Sequence, residues 1–112
     1  MVTEIIRSFK VNSMYKGYNL IIEAVEIYSK NELKHVIFMK DIYEYLSEKY
    51  DIPTICIERN IRTVVQTCWN NDSAKVNEIV GYDCVIRPSN GVFIEALSRI
   101  CQNESAKNRY RN

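Results

Sequence analysis

Histidine occurs once, at His35, and no two of the four cysteines are close enough to form a CxxC pair. Zinc ligation by the usual cysteine and histidine spacings is therefore not expected. Three glycines and two prolines in 112 residues exclude a collagen-like, linker or disordered chain. No apolar run approaches the roughly 20 residues that cross a bilayer, so no transmembrane helix or membrane partner is expected. The first nine residues, MVTEIIRSF, carry an acid at Glu4 and lack a small-residue cleavage site, unlike a secretion signal. Cys56, Cys68, Cys84 and Cys101 are accordingly expected as free thiols in a cytoplasmic protein. HExxH, GxSxG, a phosphate loop and the dinucleotide glycine pattern are all missing. With a single histidine besides, neither an enzyme nor a bound cofactor is expected.

What is present is the material of one packed domain, read as residues 1–112. Apolar residues make up 46% of the chain, enough for a core without covalent staples. Fifteen basic against fourteen acidic residues leave a net charge of +1, which by itself says little about polyanions. The distribution says more. Residues 105–112, SAKNRYRN, hold Lys107, Arg109 and Arg111 and no acid. They read as a basic, flexible tail able to touch phosphates.

Apolar spacing along the chain is mostly three and four, the helical period. A short helix is expected over Val2–Phe9 and a second over Tyr15–Tyr28. Asn31 suits the cap of a third, over Glu32–Phe38. Lys40–Tyr50 follows, with Ile42, Tyr43, Leu46 and Tyr50 at core spacing. Asp51-Ile52-Pro53-Thr54 is a turn, because Pro53 disfavours helix at Ile52. Thr54 reads as the N-cap of a long helix to about Trp69. Ser73–Val80 is a short helix closed by Gly81. Residues 82–88 read as an extended loop, since a lone strand would have no partner. Ser89 or Asn90 caps the last helix. The class is all-α: about six helices, winged-helix-like but without a true wing.

Two helices, at 40–50 and 54–69, joined by a tight turn make a candidate helix-turn-helix. Its second helix needs an apolar face for its own domain and a donor-rich face for the major groove. Ile57, Ile61, Val64, Val65 and Cys68 supply the first. Arg59, Arg62, Thr63 and Gln66 supply the second. Arginine matches guanine O6 and N7, and glutamine pairs with adenine. Glu58 is open between accepting from cytosine N4 and orienting Arg62 four residues on. The helix N-terminus from Thr54 to Ile57, Cys56 included, offers free N–H groups to a phosphate. Lys16, before Gly17, is a further phosphate candidate, beside Lys107 and Arg109 of the tail.

Several stretches together carry a family resemblance. They are Thr3-Glu4-Ile5-Ile6, Lys16-Gly17-Tyr18, Glu23-Ala24, Glu58-Arg59-Asn60-Ile61-Arg62 with Trp69 beyond, Gly81-Tyr82, Arg87-Pro88-Ser89-Asn90 and Phe93-Ile94. In this combination and register the chain resembles, over nearly its whole length, the C-terminal DNA-binding (effector) domain of the stage zero sporulation master response regulator of endospore-forming Firmicutes. The resemblance implies six helices around a helix-turn-helix, binding to double-stranded promoter DNA, and transcriptional regulation at the onset of sporulation. It also implies head-to-tail pairing of two domains on tandem sites and contact with RNA polymerase sigma factor.

The family's recognition helix begins Ser-Arg-x-Glu-Arg-x-x-Arg. Its last three functional positions fall on Glu58, Arg59 and Arg62, all retained; its first two fall on Ile55 and Cys56. One arginine is thus missing, and the salt dependence of binding should fall by about one unit of slope. The family's phosphoacceptor receiver domain has no counterpart in these residues, so a stand-alone relative or an excised domain is expected. Because Ile55 and Cys56 replace polar residues, the competing expectation is a helical protein-interaction module that kept the fold and lost operator binding.

Overall fold

The computed structural model describes residues 1–30 and 39–111, with side chains through Asn103. It contains α1 (Val2–Ser8), α2 (Tyr18–Ser29), α3 (Met39–Tyr50), α4 (Thr54–Asn71), α5 (Ser73–Val80) and α6 (Asn90–Arg111). No strand occurs among the described residues, and Tyr82–Pro88 is an irregular connection, as its sequence implied. The expected helix over Glu32–Phe38 lies outside the described residues.

The helices start and stop for local reasons. Lys10 and Asp51 take left-handed backbone conformations, at φ 65° and 54°, just past α1 and α3. Asp51 tolerates this region better than a β-branched residue would. Ser47 then locks the α3–α4 turn twice: its carbonyl accepts from the Ile52 N–H at 3.2 Å, and its hydroxyl donates to the Ile52 carbonyl. Asp72 caps α5 by accepting from the Lys75 N–H at 3.0 Å. Gly81 closes it at φ 97°, where only glycine is unstrained. Ser89, rather than Asn90, caps α6, its hydroxyl accepting from the Val92 N–H at 3.2 Å. The backbone of α6 runs on to Arg111, through most of the basic stretch.

One continuous core holds the helices together. Ile6 and Phe9 meet Ile21, Ala24 and Val25 of α2, Ile57, Ile61, Val64 and Val65 of α4, and Phe93, Ile94 and Leu97 of α6. Phe9 and Phe93 stack edge to face with centroids 6.3 Å apart, a geometry that adds about 0.5–1.5 kcal/mol to burial. Cys68 is fully buried in this core, and desolvation pushes its thiol up to about 12, so it packs as a small apolar group. All four cysteines are free.

Tyr50 departs from its core spacing. Ile42 and Leu46 of α3 are buried and Tyr43 is half-buried, but Tyr50 is 41% exposed. Its hydroxyl and the Lys49 ammonium instead both donate to the Glu23 carboxylate, tying α3 to α2. Burial of Glu23 opposes ionisation, but these two donors outweigh it and hold the carboxyl below its ordinary value of 4.5. A depressed carboxylate adds stability above its unfolded pKa, and that contribution disappears as pH falls through the folded value. Glu23→Gln should therefore make the domain less sensitive to acidification from about pH 6 to about pH 3. Urea unfolding across that range checks it; an unchanged pH dependence would show the tie to be energetically silent.

Candidate nucleic-acid interface

The pair α3 and α4 is joined by three residues, Asp51 to Pro53, as a helix-turn-helix requires. Burial fixes which face of α4 is turned outward. Ile57, Ile61, Val64, Val65 and Cys68 are buried, all at 1% exposure or less. Arg59, Arg62 and Thr63 are exposed, and Gln66 is half-buried at the margin of the same face. The sequence-derived division of this helix into an inner and an outer side therefore holds.

Each outward side chain has a defined local setting. Arg62 Nη1 lies 3.3 Å from a Glu58 carboxylate oxygen, one turn earlier. Of the two roles left open for Glu58, orientation of Arg62 is the one made in the free protein. Arg59 Nη2 donates to the Cys56 sulfur at 3.4 Å, which turns this guanidinium toward the start of the helix. The Thr63 hydroxyl donates to the Arg59 carbonyl at 3.0 Å, and Gln66 Nε2 donates to Asn70 Oδ1 at 2.9 Å. The guanidinium planes and the Gln66 carbonyl keep further bonding capacity toward solvent.

Thr54 does not cap α4. Pro53 occupies the N-cap position at φ −54° and ψ 143°, and Thr54 is the first helical residue. The Pro53 carbonyl accepts from the N–H groups of Cys56 and Ile57 at 2.9 and 3.1 Å. A proline has no side-chain acceptor, so the earliest N–H groups of α4 are left to solvent or to an anion.

Two elements frame the helix. At the entry to α2, Gly17 is pressed against the middle of α4: a Cβ there would sit 2.1 Å from the Asn60 carbonyl oxygen and 2.9 Å from Val64 Cγ2. Lys16, exposed and one residue earlier, is thereby held at the flank of α4. On the other side, the loop before α6 brings in a residue that the reading of single motifs passed over. Arg87 shares one shallow cleft with Glu58 and Arg62, and another with Gln66 and Trp69. Its signal was the Arg87-Pro88-Ser89-Asn90 stretch, visible as a likeness but not as a position in space. Asn90 fixes this arrangement: buried, it donates to the Tyr43 hydroxyl and to the Glu58 carbonyl, both at 3.1 Å, so α6 is tied to α3 and α4 together. The side chains of Lys107 and Arg109 lie outside the described ones, so these two are not brought to the site here.

The six helices, with α3 and α4 joined by a three-residue turn, form a helical domain of the helix-turn-helix class. The chain belongs to the family described as Sporulation initiation factor Spo0A C terminal, whose model matches residues 2–100. That family is one of DNA-binding transcription regulators of sporulation, not of enzymes. No curated protein and no solved structure matches the chain. No described helix is long and apolar enough to cross a membrane.

Proposed function

We propose that this protein recognises specific double-stranded promoter sites and regulates transcription by laying the N-terminal half of α4 in the major groove. The observation that carries the reading is the exposed Arg59–Arg62 pair on a helix whose opposite side is wholly buried. Arg59, Arg62 and Gln66 then meet base edges, with Thr63 and Cys56 beside them. Glu58 acts by aiming Arg62. Lys16 and Arg87, on the two flanks, meet phosphates together with the free N–H groups at Thr54, and Lys107 and Arg109 extend the same contact. Phosphate contacts set register, and base contacts set sequence.

A single module of this size buries a modest area on DNA, so two copies on tandem sites would raise affinity through effective concentration. Contact with RNA polymerase sigma factor belongs to the same reading, as does action in the cytoplasm. The second reading, a protein-interaction module, is favoured by the exposure of Val85 and Ile86 at 95% and 75%. It predicts no preference among duplexes.

Selection of bound duplexes from a random pool separates the two. The expected result is enrichment of a short motif whose affinity falls with salt by about 0.9 in log–log slope for each phosphate contact. No enrichment, with the domain folded, would exclude operator binding.

A further inference from the structure

The outward face of α4 begins with a side chain that phosphate or polar base contacts do not account for. Ile55 is the second residue of the helix and is 70% exposed. At about 100° per residue it lies within about 60° of Arg59, Arg62 and Gln66, in the middle of the stripe they form. It is turned away from the core that holds Ile57 and Ile61. It contributes to a shallow cleft of about 420 Å³ between α3 and α4, shared with Tyr43 and Thr54. A helix entering the groove by its N-terminal end brings this position to the base edges one turn ahead of Arg59.

The chemistry of an isoleucine side chain narrows what it can meet there. It has no donor or acceptor, so against a phosphate, or against the polar edges of guanine, adenine or cytosine, it would strip water and return nothing. In the major groove thymine alone presents an apolar group, the C5 methyl. We propose that Ile55 is a specificity-determining residue that reads a thymine methyl, in the same half-site as the bases met by Arg59 and Arg62. Discrimination then comes from removing two apolar surfaces from water together. The inference rests on the DNA-reading function proposed above, and its test is chosen to fail separately.

In the duplex enriched by selection, each thymine in turn is replaced by uracil, which keeps Watson–Crick pairing and lacks only the methyl. The expected result is one position per half-site at which uracil weakens binding about fourfold, the effect of losing one buried methyl-sized group. Ile55→Ala should bind the thymine and uracil duplexes equally, at about the affinity the parent has for uracil. Ile55→Val should retain most of the preference. Because Ile55 is exposed, both variants should keep parental helicity. Equal binding of all uracil duplexes by the parent protein, or an undiminished preference in Ile55→Ala, would overturn the inference while leaving DNA recognition standing. Failure to enrich any duplex would overturn both.

Discussion

Replacing Arg59 and Arg62 together with alanine should lower affinity for the selected duplex by about 30-fold to about 10⁴-fold, with no change in helicity. Each guanidinium that meets a base or phosphate contributes about 1–3 kcal/mol of binding, and two such losses multiply in the equilibrium constant. Both residues are exposed and outside the core, so neither supports the fold by packing. The single variants should not be equal. Arg62 neutralises the Glu58 carboxylate at 3.3 Å, so Arg62→Ala removes a cation and leaves an anion facing the phosphates. Arg59 donates to a cysteine sulfur, and its loss uncovers no charge. Arg62→Ala should therefore be the more damaging, and Glu58→Gln should recover part of its deficit. Gel shifts at fixed salt measure all four proteins. Parental affinity in the double variant would remove both arginines from the interface.

Gly17→Ala should destabilise the domain by about 1–3 kcal/mol, the usual range for overpacking, and toward the upper end. The added carbon would meet the Asn60 carbonyl oxygen at 2.1 Å and its carbon at 2.7 Å. These are backbone atoms inside a helix and have no rotamer by which to move aside. The entry of α2 must back away from α4, and apolar contact around Val64 is lost with it. The melting temperature should fall by roughly 4–8 °C for each kcal/mol. The displacement also carries Lys16 away from the flank of α4, so DNA affinity should decline even at temperatures where the variant is folded. An unaltered melting temperature would show that the two helices do not approach as closely as described.

Much of this was legible in the order of residues. Isoleucine and valine at spacings of three and four marked the inner side of α4, and its arginines had only the other side left to occupy. Pro53 marked the break before α4, and Gly81 the end of α5. These inferences succeeded because helix geometry is local: a period of 3.6 residues places side chains around an axis whatever lies beyond. Thr54 failed as a cap for a reason of the same local kind, since the proline before it already holds the N-cap geometry.

Tyr50 failed for a different reason. Its spacing suited the core, but Glu23, far away in the chain, offered its hydroxyl an acceptor at the surface. Arg87 was overlooked on similar grounds. A lone arginine in a loop has no period to be judged by, and only the seating of Asn90 between Tyr43 and Glu58 brings it beside Arg62.

The sequence by itself determined the helical class, the position of the turn and the two sides of the recognition helix, because each depends on neighbours within a few residues. Only the tertiary structure decided what flanks that helix: Lys16 through the missing side chain at Gly17, and Arg87 through the anchoring of α6. Those placements depend on which surfaces of distant segments fit together, and close packing settles that only when the whole chain is folded.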